Sequence, residues 1–360
     1  MKTPRTLKLP PFYTHGIGSL PRPKIVRDLL GQRAALDDCV RFAIRLQEQS
    51  GLDVISDGEW RRVQYIREFL LRVGGFERCR RYTHQGETKL TDVVVRRMSA
   101  AEPVFMDDAR FLAANTDRAT KFALPSPFLI SVRYWHEDHS KDAYPTLQHF
   151  LDHLAEILAR EAQALVAAGI DIIQIDDPAL TYFCDPRLTS GDEIHDDRLR
   201  RTWNADEQFP AALAAINQVA DGLHAEVHLH CCHSVYKRQS DVVGDYKPIL
   251  PRLKDANVDR INLEFAYPHT GDVSDLALLP AHLNVGLGVV DVRGERLQSV
   301  EAIETLASAA AAVIAPERIA LNPDCGFAPD AGEPPTIDEA YEKLCRLVAA
   351  AKRLRQRFVT

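Results

Sequence analysis

Four soft or acidic side chains each stand at the end of a short apolar run. His230 and Cys232 follow Ala225-Glu226-Val227-His228-Leu229, Glu264 follows Arg260-Ile261-Asn262-Leu263, and Cys325 follows Ile319-Ala320-Leu321-Asn322-Pro323-Asp324. Imidazole, thiolate and carboxylate are the ligands zinc prefers. Zinc fingers draw their ligands from tight local pairs, whereas these four are far apart in the chain and need a tertiary fold to meet. Two thiolates and a carboxylate make an electron-rich site, poorly suited to generating hydroxide. Such a site would hold an incoming thiol as thiolate, because metal coordination deprotonates thiols. Glutamate, the weak ligand of the set, could yield its place to that sulfur. The implied chemistry is nucleophilic attack by sulfur. The competing reading is a group of buried thiols with no metal, since free cysteine is among the most buried residue types. Cys39, Cys79, Cys184 and Cys345 are read as inert thiols. Cys231 and His233 adjoin the set, and strand alternation puts His228, His230 and Cys232 on one side and Cys231 on the other, favouring Cys232 as ligand.

Other polar residues fall at comparable places. Asp57 and Glu59 follow one apolar run, and Asp176 and Asp177 end another. Carboxylates gathered at one face suit a cationic group such as the amine of an amino acid. Ser19 could hold a carboxylate through its N–H and hydroxyl donors. The alternative role for the acids is capping helix N-termini, which Asp177 before Pro178 fits equally well.

These residues need elements to carry them. Apolar, β-branched runs predict strands at 15–19, 54–56, 127–132, 170–175, 226–230, 260–264, 283–287 and 318–322. Between them, helical periodicity covers 24–51, 146–169, 207–224, 246–256, 272–282, 299–315 and 336–358. Near-continuous apolar strands alternating with helices indicate a parallel sheet covered by helices. Eight such units predict an α/β fold of the (β/α)8 TIM-barrel type, with the strand carboxyl ends forming the active face. The rival doubly wound sheet would show a phosphate-binding glycine loop after its first strand, and Gly16-Ile17-Gly18-Ser19-Leu20 is not GxGxxG. Residues 62–125 depart from the alternation and read as a hairpin-bearing insertion after the second strand. The expected organisation is one domain over residues 1–360.

Composition bounds the function. The chain has 360 residues, 46% of them hydrophobic and 26% charged, with a formal net charge of −7. That balance gives no support for binding nucleic acid or an anionic membrane. No apolar stretch approaches the roughly 20 residues that span a bilayer. Met1-Lys2-Thr3-Pro4-Arg5 lacks the apolar core of a signal peptide, and seven cysteines without a signal argue for free thiols in a reducing compartment. The expected location is the cytoplasm.

Several strings also carry a family resemblance. Ile17-Gly18-Ser19, Asp57-Gly58-Glu59, Gln174-Ile175-Asp176-Asp177-Pro178-Ala179-Leu180, His228-Leu229-His230-Cys231-Cys232 and Asn322-Pro323-Asp324-Cys325-Gly326 resemble, in order, the catalytic half of cobalamin-independent methionine synthase. The resemblance runs from about residue 12 to 330. It implies a (β/α)8 barrel, a zinc ion held by His230, Cys232, Glu264 and Cys325, and homocysteine gripped by Ile17, Ser19, Glu59 and Asp176. The implied reaction is methyl transfer to a zinc-bound homocysteine thiolate, giving methionine. Full-length plant and bacterial members have two barrels, whereas this chain has one and is closer in size to the family's single-barrel relatives. It also has Val290-Asp291-Val292-Arg293 where the folate-using members carry a histidine after Tyr-Asp-x. The pterin-stacking tryptophan is out of register, with Trp135 nearby. The methyl donor is therefore left open among methyltetrahydrofolate, methylcobalamin and others, with a corrinoid or accessory protein as a further partner. Asp291 or Arg293 would orient or neutralise that donor, the alternative for Arg293 being a surface ion pair. Two other functions compete: an alkyl or epoxide thiol transferase or carbon–sulfur lyase on another thiol, and a non-catalytic zinc or thiol carrier.

Overall fold

A computed structural model of the protein describes residues 7–99, 102–190, 196–199, 201, 203–267, 270–328 and 333–358. Residues 1–5, read above for a signal, lie outside them. Strands β1 (Val54–Ile55), β4 (Ala119–Pro125), β5 (Ile172–Asp176), β6 (Glu226–Cys231), β9 (Arg260–Glu264), β10 (Asn284–Val290) and β11 (Ile319–Pro323) form one curled sheet in that order. Every pairing in it is parallel. These strands are buried along nearly their whole length, as expected of a parallel sheet covered on its faces. Beyond the sheet edges, Thr14 makes a parallel bridge to Leu321 and His15 one to Val54. The segment thus bonds to both edge strands, with Leu321 N–H donating to the Tyr13 carbonyl at 2.8 Å and Val54 N–H to the Thr14 carbonyl at 3.1 Å.

Two small sheets lie apart. Strands β2 (Phe76–His84) and β3 (Glu87–Val94) pair as an antiparallel hairpin with a register shift between Arg78 and Arg80. Strands β7 (Val235–Tyr236) and β8 (Gln239–Ser240) make a shorter one. The helices are α1 (Lys24–Asp28), α2 (Arg33–Ser50), α3 (Tyr65–Val73), α4 (Met106–Ala114), α5 (Pro127–Tyr134), α6 (Glu137–Ser140), α7 (Leu147–Ala167), α8 (Pro186–Ser190), α9 (Ala205–Ala220), α10 (Val300–Ala311) and α11 (Ile337–Phe358). Side-chain caps start several of them: Thr146 Oγ1 accepts from His149 N–H and Ser299 Oγ from Ala302 N–H, satisfying donors that the first turn leaves unpaired.

Three expectations need correction. The apolar run 127–132 is not a strand but helix α5, because Ser126 caps it, accepting from Leu129 N–H at 3.0 Å, and Pro127 takes its first turn. The neighbouring sheet strand is β4, which begins inside the range expected to be an insertion, so β1 and β4 are joined by residues 56–118. The expected helices 246–256 and 272–282 shrink to short 3-10 helices, Leu250–Asp255 and Val273–Leu278. Pro248 and Pro251 in the first and Pro280 in the second break the hydrogen-bond ladder a longer helix would need. Of the expected first strand, 15–19, only His15 makes a bridge, beside the one at Thr14 just before it.

The inner side of the sheet is polar. Lys121 donates from Nζ to Gln174 Oε1 at 2.6 Å and lies 2.9 Å from His15 Nδ1. Burial lowers the Lys121 pKa to about 7. Gln174 in turn donates from Nε2 to the Ile17 carbonyl at 3.0 Å and to Asp176 Oδ1 at 2.7 Å. This chain of bonds connects the sheet interior to the residues at the strand ends. No helix among the described residues is long and apolar enough to cross a membrane.

Candidate metal and thiol site

Parallel pairing in register delivers the carboxyl ends of β5, β6, β9 and β11 to the same rim of the sheet. Asp176 pairs with His230 across β5 and β6, and His230 with Asn262 across β6 and β9. Just past β11, Cys325 completes a group with His230 and Cys232 whose ligand atoms all lie within 4.8 Å of one another. A shared ion with bond lengths of about 2.0–2.3 Å accommodates that spread. His230 is buried, its Nδ1 bonded to Asp176 Oδ1 at 3.0 Å and its Nε2 without a hydrogen-bond partner. An imidazole oriented through one nitrogen by a carboxylate, with the other left open, is the arrangement metal-binding histidines use.

The protons in the cluster are unevenly held. A hydrogen bond from the Cys325 thiol holds the Cys232 thiol below the ordinary range against the opposing effect of burial. The same bond, together with burial, raises Cys325. Burial works against a charged His230, but the negative charge of Cys232 and the bond to Asp176 outweigh it and push its pKa up to about 10. The site therefore concentrates negative charge on sulfur beside a cation, and a divalent ion would replace the two protons it holds.

The group opens on a cavity of about 80 Å³, also lined by Ile17, Gly18, Ser19, Glu59 and Asp176. Ser19 Oγ donates to Glu59 Oε2. Glu59 has a left-handed backbone, φ +58°, directly after Gly58 at +65°. Its N–H donates to Asp57 Oδ1 at 2.9 Å and its carbonyl accepts from Arg22 Nη2 at 2.7 Å, which hold it there. A non-glycine residue kept in that conformation costs on the order of 1–3 kcal/mol, typical of functional positions. Burial raises the Glu59 carboxyl pKa, with Asp176 and Asp57 adding to the rise against Arg62. Gly326 lets the Cys325 loop approach Ile17–Ser19: a Cβ there would lie 2.9 Å from Ser19 N.

Not every expected residue joins this cavity. Glu264 ends β9, but its carboxylate is taken by His233 and Arg293, and it falls outside the three-residue group. Asp291 accepts from Arg293 N–H at 2.7 Å and Gly294 N–H at 3.0 Å, bracing a turn. Arg293 is buried rather than on the surface. Asp177 accepts from Ala179 N–H at 3.1 Å and starts the 3-10 turn Pro178–Phe183, the capping role set against a binding one. Cys231 packs into the hydrophobic core.

Sequence reasoning missed Tyr65 and Arg133, both lining the cavity. Arg133 was hidden by reading its helix as a strand, and its Nε and Nη2 donate to the Tyr182 hydroxyl at 3.0 and 2.6 Å. Arg133 also lines two adjoining cavities of about 770 and 530 Å³. Cations outnumber acids in their walls: Arg67, Arg78, Arg81, Lys89 and Arg198 stand against Asp92 in the first, and Arg80, Arg198 and Arg201 against Asp197 in the second, with Arg198 paired to Asp196. Trp135 borders the second and donates from Nε1 to the Tyr144 carbonyl at 3.0 Å. The one available signal was the density of arginines along the β2 hairpin strand.

Comparison with known proteins gives a consistent result. The model of the cobalamin-independent synthase catalytic domain matches residues 28–353. A methionine synthase of Pyrococcus furiosus is 27% identical over 365 residues, covering 97% of this chain and 95% of that one. A 5-methyltetrahydropteroyltriglutamate–homocysteine methyltransferase of Mycobacterium leprae is 28% identical, and the match covers 97% of this chain but 44% of that longer protein. The solved structure of a B12-independent methionine synthase from Shewanella superposes with a TM-score of 0.79 at 24% identity, covering 96% of this chain and 98% of the other.

Proposed function

The chain belongs to the family of cobalamin-independent synthase catalytic domains, and from that premise we propose that it transfers a methyl group to the sulfur of homocysteine, using a zinc ion held by His230, Cys232 and Cys325. The observation that carries this reading is the convergence of those three ligand atoms on the cavity that Ser19, Glu59 and Asp176 also line. We read the curled sheet, with Thr14 and His15 bridging its edges, as a single-domain (β/α)8 barrel carrying the β2–β3 hairpin as an insertion.

Bound there, zinc would hold the acceptor sulfur as thiolate at neutral pH. Asp176 orients the His230 ring through Nδ1. Glu59 and Asp176 offer carboxylates to the substrate ammonium, and the Ser19 backbone N–H offers a donor to its carboxylate. Those two acids favour a thiol bearing an amine over one without. A sulfur–carbon bond forms as the carbon bond to the donor breaks, its electron pair leaving with the donor. The cationic walls beside Arg133 favour a donor carrying negative charge, and the relative from Mycobacterium leprae is named for 5-methyltetrahydropteroyltriglutamate. We place the protein in the cytoplasm, where these thiols stay reduced.

The test is a donor screen on the zinc-loaded protein with homocysteine, alongside Cys325→Ser. Methionine should form with an anionic methylated folate, and the variant should lose both zinc and turnover. Full zinc retention with undiminished turnover in Cys325→Ser would overturn the proposal.

A further inference from the structure

The β2–β3 hairpin follows β1, yet its tip rests on segments that follow β5 and β6. It bridges parts of the rim that β4 separates in the sheet. Its root is packed, with Thr91–Val94 of β3 buried, whereas in β2 only His84, at the tip, is buried. The outer half is therefore held by polar contacts rather than by apolar burial. His84 Nδ1 is bonded to Asp196 Oδ2 at 3.0 Å, and Nε2 lies 3.0 Å from Asp241 Oδ1. Thr83 N–H donates to Asp197 Oδ2 at 2.9 Å and Gln85 Nε2 to Asp241 Oδ1 at 3.1 Å. The His84 ring also lies 4.2 Å from that of Tyr236, centroid to centroid. The Tyr236 hydroxyl donates to Glu87 Oε2 at 2.9 Å and accepts from Lys89 Nζ, and Lys237 pairs with Glu87.

Tyr236 belongs to a wall between two cavities. Its neighbour in β7, Val235, lines the 80 Å³ metal cavity, and Tyr236 lines the 770 Å³ one. Successive strand residues point to opposite faces, so β7 separates the two spaces. The smaller has room for a handful of waters, too little for an amino acid and a methyl donor together. We propose that the β7–β8 hairpin is a movable wall between these cavities, and that the β2–β3 hairpin is a strap pinning it shut with His84 as the fastener. Unfastening joins the cavities and gives the donor a path to the acceptor sulfur. Only the identity of what enters rests on the methyl-transfer reading.

The fastener depends on charge. A neutral imidazole carries one N–H and serves only one of the two carboxylates. Burial disfavours the charged ring, but Asp196 and Asp241 outweigh it and raise the His84 pKa. The other charged or titratable groups around it are Tyr82 on its own strand, Glu87 and Lys89 on β3, Tyr236 and Lys237 at β7, and Asp197 and Arg198 beside Asp196. Arg187 donates from Nη2 to the Asp241 carbonyl at 3.4 Å. With the pKa raised, the clasp is complete while His84 is protonated and weakens as pH rises through that pKa. The hairpin leaves α3 through Gly74-Gly75, the kind of small-residue junction at which lids pivot.

The test places a thiol on the metal-cavity side of the wall with Val235→Cys, in the wild-type background and with His84→Ala. An anionic methanethiosulfonate labels it, peptide mass spectrometry reads the site, and rates are corrected for thiolate fraction. His84→Ala should speed labelling by about tenfold or more, as loss of charge-assisted bonds does. With His84 present the rate should rise between about pH 6 and 9, and with His84→Ala that rise should vanish. Hydrogen exchange should quicken in residues 79–89, since a lifted two-stranded hairpin is marginal in water, while β5 and β6 stay protected. Should His84→Ala fail to fold, Asp241→Asn keeps the shape, removes one charge and is read against the same outcomes. No step uses methyl transfer, so a protein that makes no methionine sinks the functional reading alone. Labelling within about twofold of the parent rate would overturn the proposal. So would exchange that rises equally in β5 and β6, because His84 would then support the whole fold rather than a strap.

Discussion

His230, Cys232 and Cys325 were legible in the sequence because each ends an apolar run, and because alternation along β6 separates Cys232 from Cys231. Glu264 met the same criterion, and the structure gives it to Arg293 and His233. The difference is one of partners: a string shows where a carboxylate stands but not which cation on another strand reaches it first. Asp176 shows the reverse. Expected to grip a substrate amine, it also fixes the His230 ring at 3.0 Å. Removing its charge in Asp176→Asn should therefore cost about 10- to 100-fold in zinc affinity, as loss of a ligand's supporting carboxylate does. Chelator competition measures it, and an unchanged affinity would mean that the ring is held by packing alone.

The strands were found largely where apolar runs stood, and β9 coincides with its expected range to the residue. The failures share a cause, since short apolar runs do not distinguish a buried strand from a buried helix. At 127–132 the deciding signal was the Ser126-Pro127 pair, a cap and a first-turn proline. Ser126 has two duties, accepting from Leu129 N–H to start α5 and donating from Oγ to Asp177 Oδ2. That ties the helix carrying Arg133 to the turn after β5, and burial leaves Asp177 with a pKa pushed up to about 7. Ser126→Ala should destabilise the protein by about 1–2 kcal/mol in chemical denaturation, at the upper end for a cap because it also strips Asp177 of a donor. A cost below a few tenths would show that neither bond matters to stability.

At the scale of the whole molecule, the parallel order of the sheet turns residues remote in sequence into neighbours. The alternation of strands and helices announced that order, whereas the cationic cavities beside Arg133 depend on how the β2–β3 hairpin sits against α5, which no local pattern reports. A chain with a net charge of −7 keeps this net basic face beside its metal cluster, and the asymmetry is what points to an anionic donor. In the proposed function, a zinc ion at His230, Cys232 and Cys325 would take the substrate sulfur directly. X-ray absorption at the zinc edge, recorded before and after homocysteine is added, tests it. Two sulfur neighbours, from Cys232 and Cys325, are expected, becoming three as the thiol binds. A sulfur number that stays the same with homocysteine bound would contradict it.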